Sequence, residues 1–276
     1  MTTRHVIVGV DGSVVAVRAL DLAADEAALR ATTLEIVYAV PDLDEAGPVL
    51  ASAASRVRYR HPRLPVVTVP AEGHSAAVLA ERGRMAALTV VGCRSLGGFA
   101  GTVFGSVSRR LAAHAPGPLL VVRGDSPPHL HNEVLLVLDD ADDADTAASA
   151  FQEAELRGAA LRVFRPSADR HPVPVPIPMP VPHRRSEWTA SYLPAGDPPA
   201  ALGDRHSLVR VASRDAVAAS TRTLLEATRT ADLVVTARRP ERTGHGRHLG
   251  SLARTLLHRA HCPVLLVPAG QESAAP

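Results

Sequence analysis

Lysine is absent from this chain, and all 30 of its basic residues are arginine. That absence removes the phosphate-binding lysine of a Walker-type loop and any Schiff-base chemistry. Aromatic residues make up only 3% of the chain, so its cores have to be built from Val, Leu and Ala. Cysteine is nearly missing as well. Cys93 and Cys262 fall at different positions of the pattern, which implies no disulfide framework and suits a reducing cytoplasm. No run approaches the ~18 apolar residues of a membrane span, and the apolar part of MTTRHVIVGVDGS is too short for a signal peptide. Nor is there an excess of one charge: 30 basic against 28 acidic residues, net +2, gives no bulk attraction to nucleic acid. The expectation is a soluble, cytoplasmic chain with neither nucleic acid nor membrane as partner.

What is present is an alternation of short Val/Ile/Leu runs with helix-spaced segments. Its 276 residues, 46% apolar, are comfortable for two domains. His5–Val10 reads as a buried strand ending in Asp11–Gly12–Ser13. Val14–Arg30 reads as a helix with Val17, Leu20, Ala24, Ala27 and Ala28 on one face. Strands follow at Leu34–Val40, Val66–Val69, Leu88–Val91 and Pro118–Val122, with helices at Val49–Tyr59, Ser75–Met85 and Ser106–His114. Such alternation argues for an α/β fold with a parallel sheet covered on both faces.

The second half repeats the plan. Strands are expected at Val134–Leu138, Ala160–Phe164, Val209–Ala212 and Leu233–Thr236, and helices at Ala144–Arg157 and Ala216–Arg229. Its end, GSLARTLLHRAHCPVLLV from Gly250, echoes GSVSRRLAAHAPGPLLVV from Gly105. Two tandem doubly wound domains are therefore expected, 1–125 and 132–269, joined near Gly124–His131. The second carries a proline-rich insertion at about 165–205. Within that insertion, HPVPVPIPMPVP at His171–Pro182 suits a stiff extended spacer, or a docking segment for a partner with an aromatic groove.

The most informative stretch is LTVVGCRSLGGFAGTVFGSVS, Leu88–Ser108. An apolar strand breaks at Gly92, a loop with Gly97, Gly98 and Gly101 follows, and a helix starts at Gly105–Ser106. Glycines let backbone N–H groups approach an anion, and a helix start adds donors and the positive end of a dipole. Ser106 and Ser108 bring hydroxyls to the same end, and Asp11 closes the first strand at the same edge of the sheet. Asp-Gly-Ser is also ordinary turn and cap chemistry.

This pattern resembles the nucleotide-binding loop of the universal stress protein family: glycine, two residues, glycine, nine residues, then glycine with serine or threonine. Here it reads Gly92, Cys93–Arg94, Ser95, Leu96–Phe104, Gly105–Ser106. Ser95 departs from the family's second glycine, and a positive φ there would cost roughly 1 kcal/mol. The resemblance implies a Rossmann-like fold of the adenine nucleotide alpha hydrolase type. It also implies an ATP site, with or without Mg²⁺, in the first domain. Gly9, Val10, Asp11 and Val40 would lie against adenine and ribose. Gly92, Gly105, Ser106, Val107 and Ser108 would lie on the phosphates, with Arg94 as a charge partner. It implies further that the last strands, Leu119–Val122 and Val264–Val267, pair the two domains as an internal dimer, with a homodimer of chains open.

The second copy looks eroded. Thr236 is read at the place of Gly92, Ala253 replaces Ser108, and the loop keeps only Gly244, Gly246 and Gly250–Ser251. His258, His261 and Cys262 form a metal-like run but read more simply as helix-end histidines beside a packed thiol. Neither a metal nor a catalytic cysteine is expected. The leading reading is a nucleotide-binding regulator of a stress response acting on an unknown protein partner. The alternatives are a slow ATP hydrolase and a nucleotide-free interaction scaffold.

Overall fold

The run Val6–Gly9 forms β1, and Val6, Ile7 and Val8 lose all contact with solvent, as a parallel strand covered on both faces requires. This is a computed structural model, and its described residues are 5–93, 105–123, 131–138, 144–165, 202, 206, 208–213, 220–243 and 246–268. After β1, Ser13 caps α1 (Val14–Leu29), its hydroxyl accepting the Ala16 amide at 3.3 Å. The buried face of α1 is Ala16, Ala19, Leu20, Ala23, Ala24 and Ala27; Ala28, expected on it, is exposed. Small side chains let this helix lie close to the sheet.

β2 (Leu34–Val40), α2 (Ala46–Arg60), β3 (Val66–Glu72), α3 (Ser75–Arg82), β4 (Leu88–Cys93), α4 (Ser106–His114) and β5 (Leu119–Arg123) complete the first half. Several expected boundaries move: β4, expected to break at Gly92, stays paired with β5 through Cys93, and α3 ends at Arg82 rather than Met85. α2 takes in Gly47 and Pro48, because a proline in the first turn lacks only an N–H that would have no intrahelical partner. β3 continues through Pro70, which an outermost strand tolerates on its unpaired side.

The second half contains β6 (Glu133–Val137), α5 (Ala144–Arg157), β7 (Ala160–Phe164), β8 (Val211–Ser213), α6 (Thr221–Ala227), β9 (Leu233–Arg238), α7 (Ser251–Arg259) and β12 (Val264–Pro268). Between β9 and α7 lies a two-stranded antiparallel hairpin, β10 (Pro240–Thr243) and β11 (Gly246–Leu249). α6 is shorter than expected and starts behind a Ser220 cap on the Thr223 amide. The proline-rich run His171–Pro182 lies outside the described residues.

Ten strands form one sheet in the order β3-β2-β1-β4-β5-β12-β9-β6-β7-β8. Every pairing is parallel except the central one, β5 with β12, where Val121, Leu120 and Leu119 face Val264, Leu265 and Leu266. The order reads the same from either end, so the halves are related by a pseudo-twofold axis through that seam, and each protects the other's last strand. Buried residues of α1, α2 and α5 pack on one face of the sheet, and those of α3, α4, α6 and α7 on the other.

Charge holds the seam on the first face. Arg30 pairs with Glu26 of its own helix and Glu153 of α5; Arg157 pairs with Glu153 of its own helix and Glu26 of α1. Each guanidinium also donates to the carbonyl of the glutamate four residues back, at 3.3 Å in both cases. Burial alone would pull the Arg30 guanidinium down, but the charges of Glu153 and Glu26 outweigh it and raise it. Two further arginines cross the seam to backbone carbonyls, Arg123 to Leu257 at 3.1 Å and Arg238 to Gly117 at 3.2 Å.

Candidate functional site

In the first half the chain runs from β1 outward to β2 and β3, then returns to β4 on the other side of β1. The helices that follow β1 and β4 lie on opposite faces of the sheet, and the carboxyl ends of two such strands are where doubly wound sheets bind ligands. Val6 is level with Leu88 and Val8 with Val90, so continuing that register brings Asp11 and Gly92 to the same end.

Each residue at this end of the sheet has an identifiable local role. Asp11 is exposed, and its Oδ1 accepts the Ser13 amide at 3.0 Å across Gly12, whose φ of +74° favours glycine. Val10 and Val40 are buried, and Val10 gives its N–H to Val37 at 2.9 Å. Gly9 leaves space for α3, since a Cβ there would stand 2.7 Å from Leu79 Cδ1. At Gly92 a Cβ would meet the Val15 carbonyl oxygen at 2.9 Å, so β4 passes too close to the start of α1 for any side chain. Arg94 and Ser95 lie outside the described residues.

The start of α4 is different. Gly105 is its N-cap and has no side chain to offer, and no acidic residue stands in its first turn. A Cβ on Gly105 would find only Ser108 Oγ at 3.5 Å, an ordinary contact, and φ there is −53°. Packing among the described residues thus sets no requirement for glycine at 105. Ser106 is exposed, whereas Ser108 is buried and its hydroxyl donates to the Gly92 carbonyl at 2.8 Å. Ser108 pins the helix start to the end of β4; its hydroxyl faces inward.

The second half keeps the backbone of this arrangement and loses its surroundings. Gly250 caps α7 with φ −53° and ψ 150°, close to the −53° and 141° of Gly105. Yet the register corrects one sequence assignment. Gly92 is level with Val122 of β5, and the residue level with the equivalent Val267 of β12 is Ala237, so Ala237 and not Thr236 takes the place of Gly92. The segment read as a remnant loop with Gly244 and Gly246 is instead carried by the β10–β11 hairpin. Its signal was visible as two strand-length segments, PERT and GRHL, separated by only the two residues Gly244 and His245.

The Universal stress protein family sequence model matches this chain twice, over residues 2–123 and 131–268. The chain belongs to that family. As a tandem universal stress protein it is 28% identical, over a 314-residue alignment, to universal stress protein Rv1996 of Mycobacterium tuberculosis, covering 100% of this chain and 98% of the relative. Among solved structures, a universal stress protein from Archaeoglobus fulgidus superposes with a TM-score of 0.62 at 13% identity, covering 98% of this chain and 100% of that one. A protein of unknown function from Pseudomonas aeruginosa, PA1789, gives 0.61 at 17%, covering 97% and 93%. At those identities the likeness is one of fold.

The thiols of this family member are packing groups. Burial pushes the Cys93 thiol up against the lowering effect of the Gly105 amide, and burial foremost, then Asp232, pushes Cys262 up to about 12. Both thiols are thereby held in the neutral, poorly nucleophilic form. Among the described residues no group of three or more His, Cys, Asp or Glu is placed to hold a metal ion. At pH 8 the native chain should react with a thiol reagent such as DTNB only on the timescale of unfolding, and both cysteines should react at once in denaturant. Rapid labelling of the native chain would contradict this assignment.

No helix among the described residues is long and apolar enough to cross a membrane.

Proposed function

We propose that the first domain, 1–125, binds an adenine nucleotide, ATP with or without Mg²⁺, and that binding switches the protein's interaction with a protein partner in a cytoplasmic stress response. The observation that carries this reading is the start of α4. It has a glycine N-cap that packing among the described residues does not demand, no acidic side chain in its first turn, and the exposed Ser106 beside it. An anion supplies what such a helix start lacks, because its first N–H groups have no intrahelical partner and the dipole favours negative charge. Phosphates would meet the amides of Ser106, Val107 and Ser108 and the Ser106 hydroxyl, while Ser108 Oγ keeps the helix start in place. Adenine and ribose would lie toward Asp11 and the ends of β1 and β2. The second domain, 132–269, would act as the structural partner.

Binding without turnover is the form of this reading we adopt. Phosphoryl transfer needs a positioned base and charge stabilisation at the γ-phosphate. Of the residues assigned to the site, only Asp11 has a carboxylate, and that carboxylate already holds a turn.

Calorimetric titration with ATP and Mg²⁺ tests the proposal. One site per chain is expected, abolished by Gly105→Val, a substitution for which the described packing leaves room. Ser106→Ala should weaken binding about tenfold with stability unchanged. Ser108→Ala should instead cost about 1 kcal/mol of stability, since the Gly92 carbonyl loses its donor. Absence of binding at millimolar ATP, or binding indifferent to Gly105→Val, overturns the proposal.

A further inference from the structure

In the first half α3 packs directly against α4. The equivalent helices of the second half, α6 and α7, make no comparable contact, and a groove of about 510 Å³ opens between them. That volume lies in the ordinary range for small-molecule sites, ~300–1,000 Å³. One wall carries Arg222, Leu225 and Glu226 of α6, followed by Arg229; the other carries Arg259 at the end of α7, followed by His261. The single carboxylate on the lining, Glu226, is held by Arg229 at 3.2 Å. Arg222 and Arg259 have neither an ion pair nor a hydrogen bond to any described residue, so two guanidinium groups reach one groove from opposite walls without a counter-charge. His261 is held below its ordinary value by burial and by Arg229 and Arg123, against the raising effect of Glu226.

We propose that this groove is a second anion site, separate from the start of α4, taking a small molecule with at least two phosphate groups. Guanidinium forks on two walls match two anionic groups borne by one ligand, and each fork can hold phosphate through two parallel hydrogen bonds. The bounded volume suits a small molecule better than an extended peptide. The buried Leu225 provides an apolar floor.

Inorganic tripolyphosphate is the probe. Titrated calorimetrically at low ionic strength into the full chain carrying Gly105→Val, so that the α4 start is blocked, it should bind at one site and weaken as salt is added. Adding Arg222→Ala and Arg259→Ala should weaken it by about tenfold or more. Both side chains are exposed and unpartnered, so thermal unfolding should be unchanged. No binding, or binding of equal strength in the Arg222/Arg259 variant, overturns the proposal; citrate binding as tightly as tripolyphosphate overturns the assignment to phosphate.

Discussion

Replacing Arg157 with alanine should cost the chain about 3–5 kcal/mol of stability, measured as a fall in the urea midpoint at constant slope. The reason lies in the closed ring of Glu26, Arg30, Glu153 and Arg157. Their side chains are only 4%, 14%, 9% and 17% exposed, so each charge depends on its neighbours rather than on water. Deleting one guanidinium leaves two buried carboxylates to share the other, and they repel. Replacing all four residues with apolar ones of similar size should cost much less, because no charge is then left buried and unpaired. A loss below about 1 kcal/mol for Arg157→Ala would mean that the ring is solvated like a surface pair. The ring also explains why both halves carry the pattern Glu-Ala-x-Leu-Arg, in DEAALR at 25–30 and QEAELR at 152–157. With the pseudo-twofold axis between α1 and α5, an i,i+4 pair on one helix becomes a cross-seam pair with its copy.

Gly92→Ala should lower stability by about 1–3 kcal/mol and also weaken nucleotide binding. An added Cβ would stand 2.8 Å from Val15 Cγ1, 2.9 Å from the Val15 oxygen and 3.1 Å from its carbonyl carbon. Two of those atoms are backbone, so relief requires β4 or the start of α1 to move. Either shift displaces the Gly92 carbonyl that Ser108 holds at 2.8 Å, and the start of α4 with it. The second half supplies the internal control. Ala237 occupies the equivalent place, so the reverse change, Ala237→Gly, should cost no more than about 1 kcal/mol, the entropic penalty of glycine in a strand. Thermal unfolding of the two variants, with ATP titration of the first, checks both statements. Equal stability of Gly92→Ala and the parent chain would remove the steric account of this glycine.

The pattern of the chain was sufficient for its architecture. β2 and β7 fall at the expected residues, because continuous Val/Ile/Leu runs bounded by Pro41 or by Gly158 have few alternatives. The repeat and the parallel sheet followed from periodicity and from the echo of Gly105–Val122 in Gly250–Val267, whereas the pairing of the two last strands was what the family resemblance implied. Local composition also marked both helix starts at Gly-Ser. Apart from that pairing, these features depend on neighbours in sequence, where side-chain period and glycine or proline placement act directly.

What the tertiary structure alone decided depends on residues distant in the chain. It separated two kinds of glycine that look alike in a motif: Gly92, required by Val15 some 77 positions earlier, and Gly105, required by nothing in the described packing. It turned Ser108 from an expected ligand hydroxyl into an anchor on a carbonyl sixteen residues away. It moved the place of Gly92 in the second half from Thr236 to Ala237, because register is set across strands and a one-residue slip is invisible along one of them. And it closed four charges into a ring across the seam. Short-range periodicity carries no information on which helix faces which, and burial and charge pairing arise only once the sheet has brought them together.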